Sequence, residues 1–144
     1  MADLERAIQI AYEAHAADEP RRNGEAFVTH PLAVMKSAQR LGYSAVRQIL
    51  AVLHDVPENN KKWQIPRLRE EGFGDEILEP LDLLTRREGE DYMAYIQRLA
   101  EHPDAEAIKE LDIQHNLGDN PTPRQVKKYR EALLYLATKQ EVAV

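Results

Sequence analysis

Four short segments gather side chains that can bind a cation or move a proton. They are Arg21-Arg22-Asn23-Gly24 leading to His30-Pro31, then His54-Asp55, then Glu58-Asn59, and finally Asp112 with His115-Asn116. The chain has no cysteine, which excludes thiol nucleophiles, disulfide scaffolds and zinc ribbons. Any metal site must therefore be built from imidazole and carboxylate. Two imidazoles and two carboxylates suit a divalent ion such as Mn²⁺, Fe²⁺ or Mg²⁺ and leave room for water and a phosphate oxygen. Zn²⁺ accepts the same donors but usually takes fewer. Neighbouring helical residues point about 100° apart, so His54 and Asp55 cannot share a helix face, yet both can reach an ion beside a helix end. Alone, such a dipeptide is more often a dipole partner at a helix terminus; its company gives it meaning.

The elements that must position these residues read as helices. Leu4, Ala7, Ile8, Ala11 and Ala14 recur at helical spacing over roughly the first 16 residues. Asp18–Gly24 is turn-rich. A second helix opens near His30-Pro31, where proline is tolerated in the first turn, and runs to about Leu41 with Gly42 as its stop. Ser44 caps a third helix carrying Val46, Ile49, Leu50 and Leu53, and Pro57 ends or bends it just past His54-Asp55. Further helices are expected near 65–71, 75–84, 91–101, 105–117 and 123–139, with no strand and no internal repeat. Loops this short predict one domain over residues 1–144. On the 105–117 helix, Asp112 and Asn116 lie one turn apart and share a face. Ile108, Leu111, His115 and Leu117 make this helix heavily buried, and a buried carboxylate needs a cation or a partner.

The 43% hydrophobic and 31% charged composition is that of a folded globular protein. The net charge of −6 argues against a surface that coats nucleic acid. No apolar run approaches membrane-spanning length, and the N-terminus does not read as a secretory signal. A cytoplasmic location follows as the expectation, with no membrane partner and no nucleic-acid partner; a homodimer is left open.

Taken in order, RRNGEAFVTHP, LHDVPEN and KELDIQHNL resemble the HD-domain hydrolases of the RelA/SpoT group, including the small stand-alone alarmone hydrolases. The resemblance runs from about Leu4 to Leu117. It implies an all-α, compact helical bundle with the metal site between core helices, and it places the metal ligands at His30, His54, Asp55 and Asp112. It implies Mn²⁺ first, with Fe²⁺, Mg²⁺ or Zn²⁺ as alternatives. Glu58 and Asn59 match the family's acidic pair that supports the attacking water, Arg21 matches its arginine ahead of the histidine-proline pair, and Asn116 its late asparagine. The implied substrate is a small phosphorylated nucleotide, and the nearest family reaction removes pyrophosphate from the ribose 3′ position of guanosine tetraphosphate. Arg21 and Arg22 would neutralise phosphate oxygens, with Asn23-Gly24 turning them toward the site and Asn116 contacting sugar or phosphate. His115 fits a packed or supporting role better than direct ligation, and His15 and His102 read as structural or surface residues.

The sequence also departs from the family. Asn59 stands where the family has a second acid, and an amide can orient water but cannot take its proton. Ala26-Phe27 replaces a proline-tyrosine pair. Asp119 follows Asn116 closely, and facing a polyphosphate it would repel it. Two further readings stay open on this ground: a nucleotide-binding sensor with weak or no catalysis, or an HD phosphohydrolase acting on another nucleotide. A purely structural helical module is a weaker third. The segment from Leu84 to Tyr92, with Arg86 and Arg87, reads chiefly as a capped helix connection; contact with a nucleotide is its alternative.

Overall fold

The computed structural model describes residues 2–143, with side chains through Lys139. Among the described residues every regular element is a helix. In chain order they are α1 (Leu4–His15), α2 (Thr29–Arg40), α3 (Ala45–Leu53), α4 (Val56–Asn59), α5 (Ile65–Glu70), α6 (Asp75–Leu84), α7 (Tyr92–Leu99), α8 (Pro103–Leu117) and α9 (Pro123–Ala143). None of them is long and apolar enough to cross a membrane.

Helix α3 is the axis of the bundle because its C-terminal half is an unbroken apolar run. Ile49, Leu50, Ala51, Val52 and Leu53 are all buried, since a stretch apolar on every face must be enclosed. It packs against α1, α2, α6 and α8. Full burial of side chains such as Leu50 and Leu53 contributes about 1.5–3 kcal/mol each. Ser44 starts the helix as expected, its hydroxyl accepting from the Arg47 N–H at 3.3 Å.

Helix α2 packs against α3 and is joined to it by the short Leu41–Ser44 link. Gly42 makes that turn with φ +73, a conformation that costs other residues a Cβ clash. Proline at the third position of α2 spares a hydrogen bond that the first turn could not make. In α1 the buried stripe is Ala7, Ile10, Ala11 and Ala14, with His15. Leu4 and Ile8 only flank it, so the packed face is turned toward Ile10 relative to the spacing read from the sequence. Asp3 caps α1 by accepting from the Arg6 N–H at 3.0 Å.

Pro57 does not simply end α3. The chain leaves α3 at His54, bends at Asp55 (φ −98, ψ −3) and restarts as α4, where Pro57 occupies the first turn. This break, rather than one continuous helix, positions the site.

Candidate metal centre

Four elements meet at the bend. His30 is the second residue of α2, His54 caps the C-terminus of α3, Asp55 caps the N-terminus of α4, and Asp112 lies within α8. Because the backbone turns between His54 and Asp55, two residues that would diverge on a continuous helix point at one place. His54 Nε2 lies 3.1 Å from Asp55 Oδ2, 3.3 Å from Asp112 Oδ1 and 3.2 Å from His30 Nε2. His30 Nε2 is 2.7 Å from Asp112 Oδ1 and 3.5 Å from Asp55 Oδ2. One donor atom from each of the four residues falls within 4.8 Å of all the others.

The hydrogen bonds behind these atoms favour one tautomer for each neutral ring. His54 Nδ1 is 2.6 Å from the Ala51 carbonyl, which can only accept, so Nδ1 bears the hydrogen and Nε2 of the neutral ring is bare. On the other side, Arg21 Nη1 lies 3.1 Å from His115 Nδ1. A guanidinium can only donate, so His115 Nδ1 accepts. His30 Nδ1, 2.8 Å from that same atom, must then donate to it, which bares His30 Nε2. Burial, the neighbouring His30 ring and the Arg21 charge all lower the His115 pKa, in keeping with a neutral acceptor. With both rings neutral, two bare nitrogens and two carboxylates would aim lone pairs at one point, an arrangement relieved by protons on the rings in the metal-free protein or by a bound cation. The donor set fits a divalent ion held by His30, His54, Asp55 and Asp112.

Protonation shifts reflect the same crowding. Burial alone would depress the His54 imidazole, but Asp55 and Asp112 outweigh it and hold its pKa well above the usual range. Burial would raise Asp112, yet Lys109 first, then His54 and His30, hold it well below. Asp55 is lowered against its own burial, chiefly by His54. Lys109 was not singled out in the sequence. It is buried, 2.8 Å from Asp112 Oδ2, and its ammonium lies 4.9 Å from the centre of the Tyr95 ring. Its position three residues before a buried aspartate on one helix was the available signal.

Above these ligands opens a cleft of about 600 Å³. Glu58, Asn59, Arg21, Arg22 and Asn116 line it with His30, Asp55 and Asp112. The Glu58 carboxyl is pushed up by burial and then by Asp55, and its Oε1 accepts from the Arg86 N–H at 3.2 Å. Asn59 donates to Asp18 Oδ2 at 3.3 Å, and Asp18 in turn pairs with the buried His15 at 2.7 Å. The amide at 59 is therefore matched to an acid across the cleft wall. His15 is structural, as read, but it belongs to the layer supporting the site.

Arg21 is committed to protein groups. It donates to Asp119 Oδ2 at 2.9 Å and to Asn116 Oδ1 at 3.1 Å, besides His115. Asn116 passes the contact on, donating to Asp112 Oδ1 at 3.1 Å. Asp119 consequently does not present free charge to the cleft as its sequence position suggested: it is buried and neutralised by Arg21. Arg22 is exposed and bonds the Asn120 carbonyl at 2.7 Å. Asn23 does not line the cleft; its side chain accepts from the Glu25 N–H at 2.9 Å and shapes the turn that Gly24 completes at φ +88.

The segment after α6 divides its roles. Arg87 serves as a cap, bonding Asp82 and the Thr85 carbonyl, whereas Arg86 and Tyr92 line the cleft. Lys128, Tyr129 and Gln125 of α9 complete that wall.

Comparison with known proteins places this geometry. Residues 7–142 match the family described as HD domain. A probable GTP pyrophosphokinase of Mycobacterium leprae is 33% identical over 93% of this chain and 18% of its own length. The bifunctional (p)ppGpp synthase/hydrolase RelA of Mycobacterium tuberculosis is 32% identical over 93% of the chain and 19% of its own. A guanosine-3′,5′-bis(diphosphate) 3′-pyrophosphohydrolase of Aquifex aeolicus is 27% identical over 80% and 17%. The chain thus spans less than a fifth of the length of these curated relatives. A solved structure described as a metazoan ortholog of SpoT that hydrolyzes ppGpp superposes with a TM-score of 0.75 at 19% identity, covering 95% of this chain and 83% of that one, which is a likeness of fold.

Proposed function

The chain belongs to the HD-domain family, and on that premise we propose that it is a metal-dependent phosphohydrolase that removes pyrophosphate from the ribose 3′ position of a guanosine bis(diphosphate). The observation that carries this reading is the convergence of His30, His54, Asp55 and Asp112 on one point at the base of the cleft. Relatives named as 3′-pyrophosphohydrolase and as bifunctional synthase/hydrolase support the substrate.

A divalent ion bound there, with Mn²⁺ as our first choice, would polarise a phosphate oxygen and acidify a nearby water. The protein's own groups do the rest. Ala51 and His115 hold the two imidazoles in the tautomers that leave Nε2 free. Glu58, at the cleft wall one turn beyond His54, accepts the proton of the attacking water, and its raised pKa brings it nearer to neutral working pH. Water adds to phosphorus as the bond to the ribose 3′ oxygen breaks, and that oxygen takes up a proton from solvent. Arg21 acts through Asn116, His115 and Asp119 rather than on the phosphates, so in this proposal it is a positioning residue. Asn59 orients the water without taking its proton.

Incubating the Mn²⁺-loaded protein with guanosine 3′,5′-bis(diphosphate) should release pyrophosphate, and Asp55→Ala should abolish both release and metal retention. Full turnover in Asp55→Ala would remove the bend from the mechanism. Binding of the nucleotide with no product would favour the sensor reading that Asn59 motivates.

A further inference from the structure

Five acids line the cleft, Asp18, Glu19, Asp55, Glu58 and Asp112, in a chain of net charge −6. A divalent ion would only cancel the charge of Asp55 and Asp112. An incoming polyanion therefore needs further positive charge, and two of the cleft's cations are already spent: Arg21 on Asp119 and Lys109 on Asp112. Two other cations of the lining differ. Lys128 of α9 places its ammonium 4.6 Å from the centre of the Tyr92 ring and 5.0 Å from that of Tyr129. Arg86 lies 5.5 Å from the Tyr92 ring centre on the same wall. Among the described residues neither side-chain cation pairs with a carboxylate: the Arg86 guanidinium bonds the Glu90 carbonyl, and the Lys128 ammonium faces the two rings. Two like charges gathered on one aromatic ring without a counter-ion repel each other and lose solvation. Burial, Arg86 and Lys109 together lower the Lys128 pKa, as expected of a cation crowded by like charges.

The position is as telling as the charge. The Arg86 backbone N–H is tied to the Glu58 carboxylate, so the Arg86 segment adjoins the proposed base. The Tyr92 ring is approached both by Lys128 and by the buried Lys109, whose ammonium is 5.9 Å from its centre. The wall therefore stands one aromatic ring away from the Asp112 side of the metal centre.

We propose that Lys128 and Arg86, seated on Tyr92, form a second anion subsite that receives the phosphate or diphosphate of the substrate remote from the bond being cleaved. The inference rests on the phosphohydrolase reading of the cleft. It makes Lys128 and Arg86 the residues that select nucleotides phosphorylated at two positions over those phosphorylated at one.

The test uses metal-loaded wild type and Lys128→Met, with Arg86→Gln as a second variant and metal content measured in each. Two substrates are compared: guanosine 3′,5′-bis(diphosphate) and guanosine 3′-diphosphate with a free 5′ hydroxyl. Loss of one charge-assisted contact should raise KM for the first about 10- to 100-fold, and for the second by less than about threefold. Equal effects on both substrates would overturn the subsite. Binding of guanosine 5′-diphosphate, followed by calorimetric titration, reads the subsite without turnover. It should weaken about tenfold in Lys128→Met, whereas equal affinity in wild type and both variants, or no affinity in any of them, overturns the proposal. A wild type that cleaves neither substrate but loses guanosine 5′-diphosphate affinity in Lys128→Met would sink the hydrolase reading and leave the subsite standing.

Discussion

Replacing Lys109 by methionine should make the stability of this protein depend on bound metal. The Lys109–Asp112 pair is buried, with side chains 11% and 6% exposed and 2.8 Å between the charged atoms. Removing one partner of a buried pair costs about 3–5 kcal/mol. The lower end applies here, because Asp112 Oδ1 keeps contacts to His30, His54 and Asn116. About 3 kcal/mol in a domain of this size corresponds to a fall in Tm of roughly 10 °C for the metal-free protein. A divalent ion reverses the balance. An ammonium 2.8 Å from one oxygen of the ligand Asp112 would repel a doubly charged ion bound there by several kcal/mol even at an effective dielectric constant near 20, so Lys109→Met should bind the ion more tightly than wild type. At 100 times Kd, binding adds about 2.7 kcal/mol, and the tighter variant gains more than that at the same concentration. Thermal unfolding with chelator and with saturating Mn²⁺ should therefore show a large gap between the two proteins that mostly closes on loading. An equal gap in both conditions would refute the reasoning and leave Lys109 a packing residue on Tyr95.

Three further outcomes follow from the same geometry. Glu58→Gln should lower kcat about 10²- to 10⁴-fold and abolish the acid limb of the wild-type kcat/KM profile, which should lie above the ordinary glutamate range because burial and Asp55 raise this carboxyl. A raised carboxyl stabilises the fold below its unfolded pKa and loses that contribution as pH rises through the folded value, so Glu58→Gln should also be the more stable protein at pH 7 in chemical denaturation. Metal binding must displace a proton from His54, whose pKa is raised in the metal-free protein. Apparent affinity should then climb about tenfold per pH unit below that pKa, and calorimetry in buffers of different ionisation enthalpy should record the released proton; heats independent of buffer would contradict it. Asn59→Asp, which would face Asp18, should fail to raise kcat alone and should do better when combined with Asp18→Asn, as a double-mutant cycle would reveal.

Much of the fold was legible because periodicity and punctuation report burial and helix ends. Ser44, Gly42 and Pro31 each act where chain chemistry puts them. His54-Asp55 was legible as a pair beside a helix end, and the α3–α4 bend supplies the physical means. Partners distant in sequence were not legible. Arg21 reaches Asp119 across 98 positions, which turns a residue read as repelling phosphate into a neutralised one. Asn59 reads as a missing acid until Asp18 appears beside it. In α8, Lys109 is buried together with Asp112, and a hydrophobic pattern cannot announce a charge buried to serve another charge. Arg86 and Arg87 are adjacent in sequence, and only three-dimensional packing assigns one to the cleft and the other to a helix end.

Anomalous scattering at the manganese edge from crystals grown with Mn²⁺ addresses the four-donor centre most directly. The account predicts one strong peak bonded to His30 Nε2, His54 Nε2 and the carboxylates of Asp55 and Asp112, and no peak there in Asp55→Ala. A wild-type map with that point empty, or with the ion bound to other side chains, would contradict it.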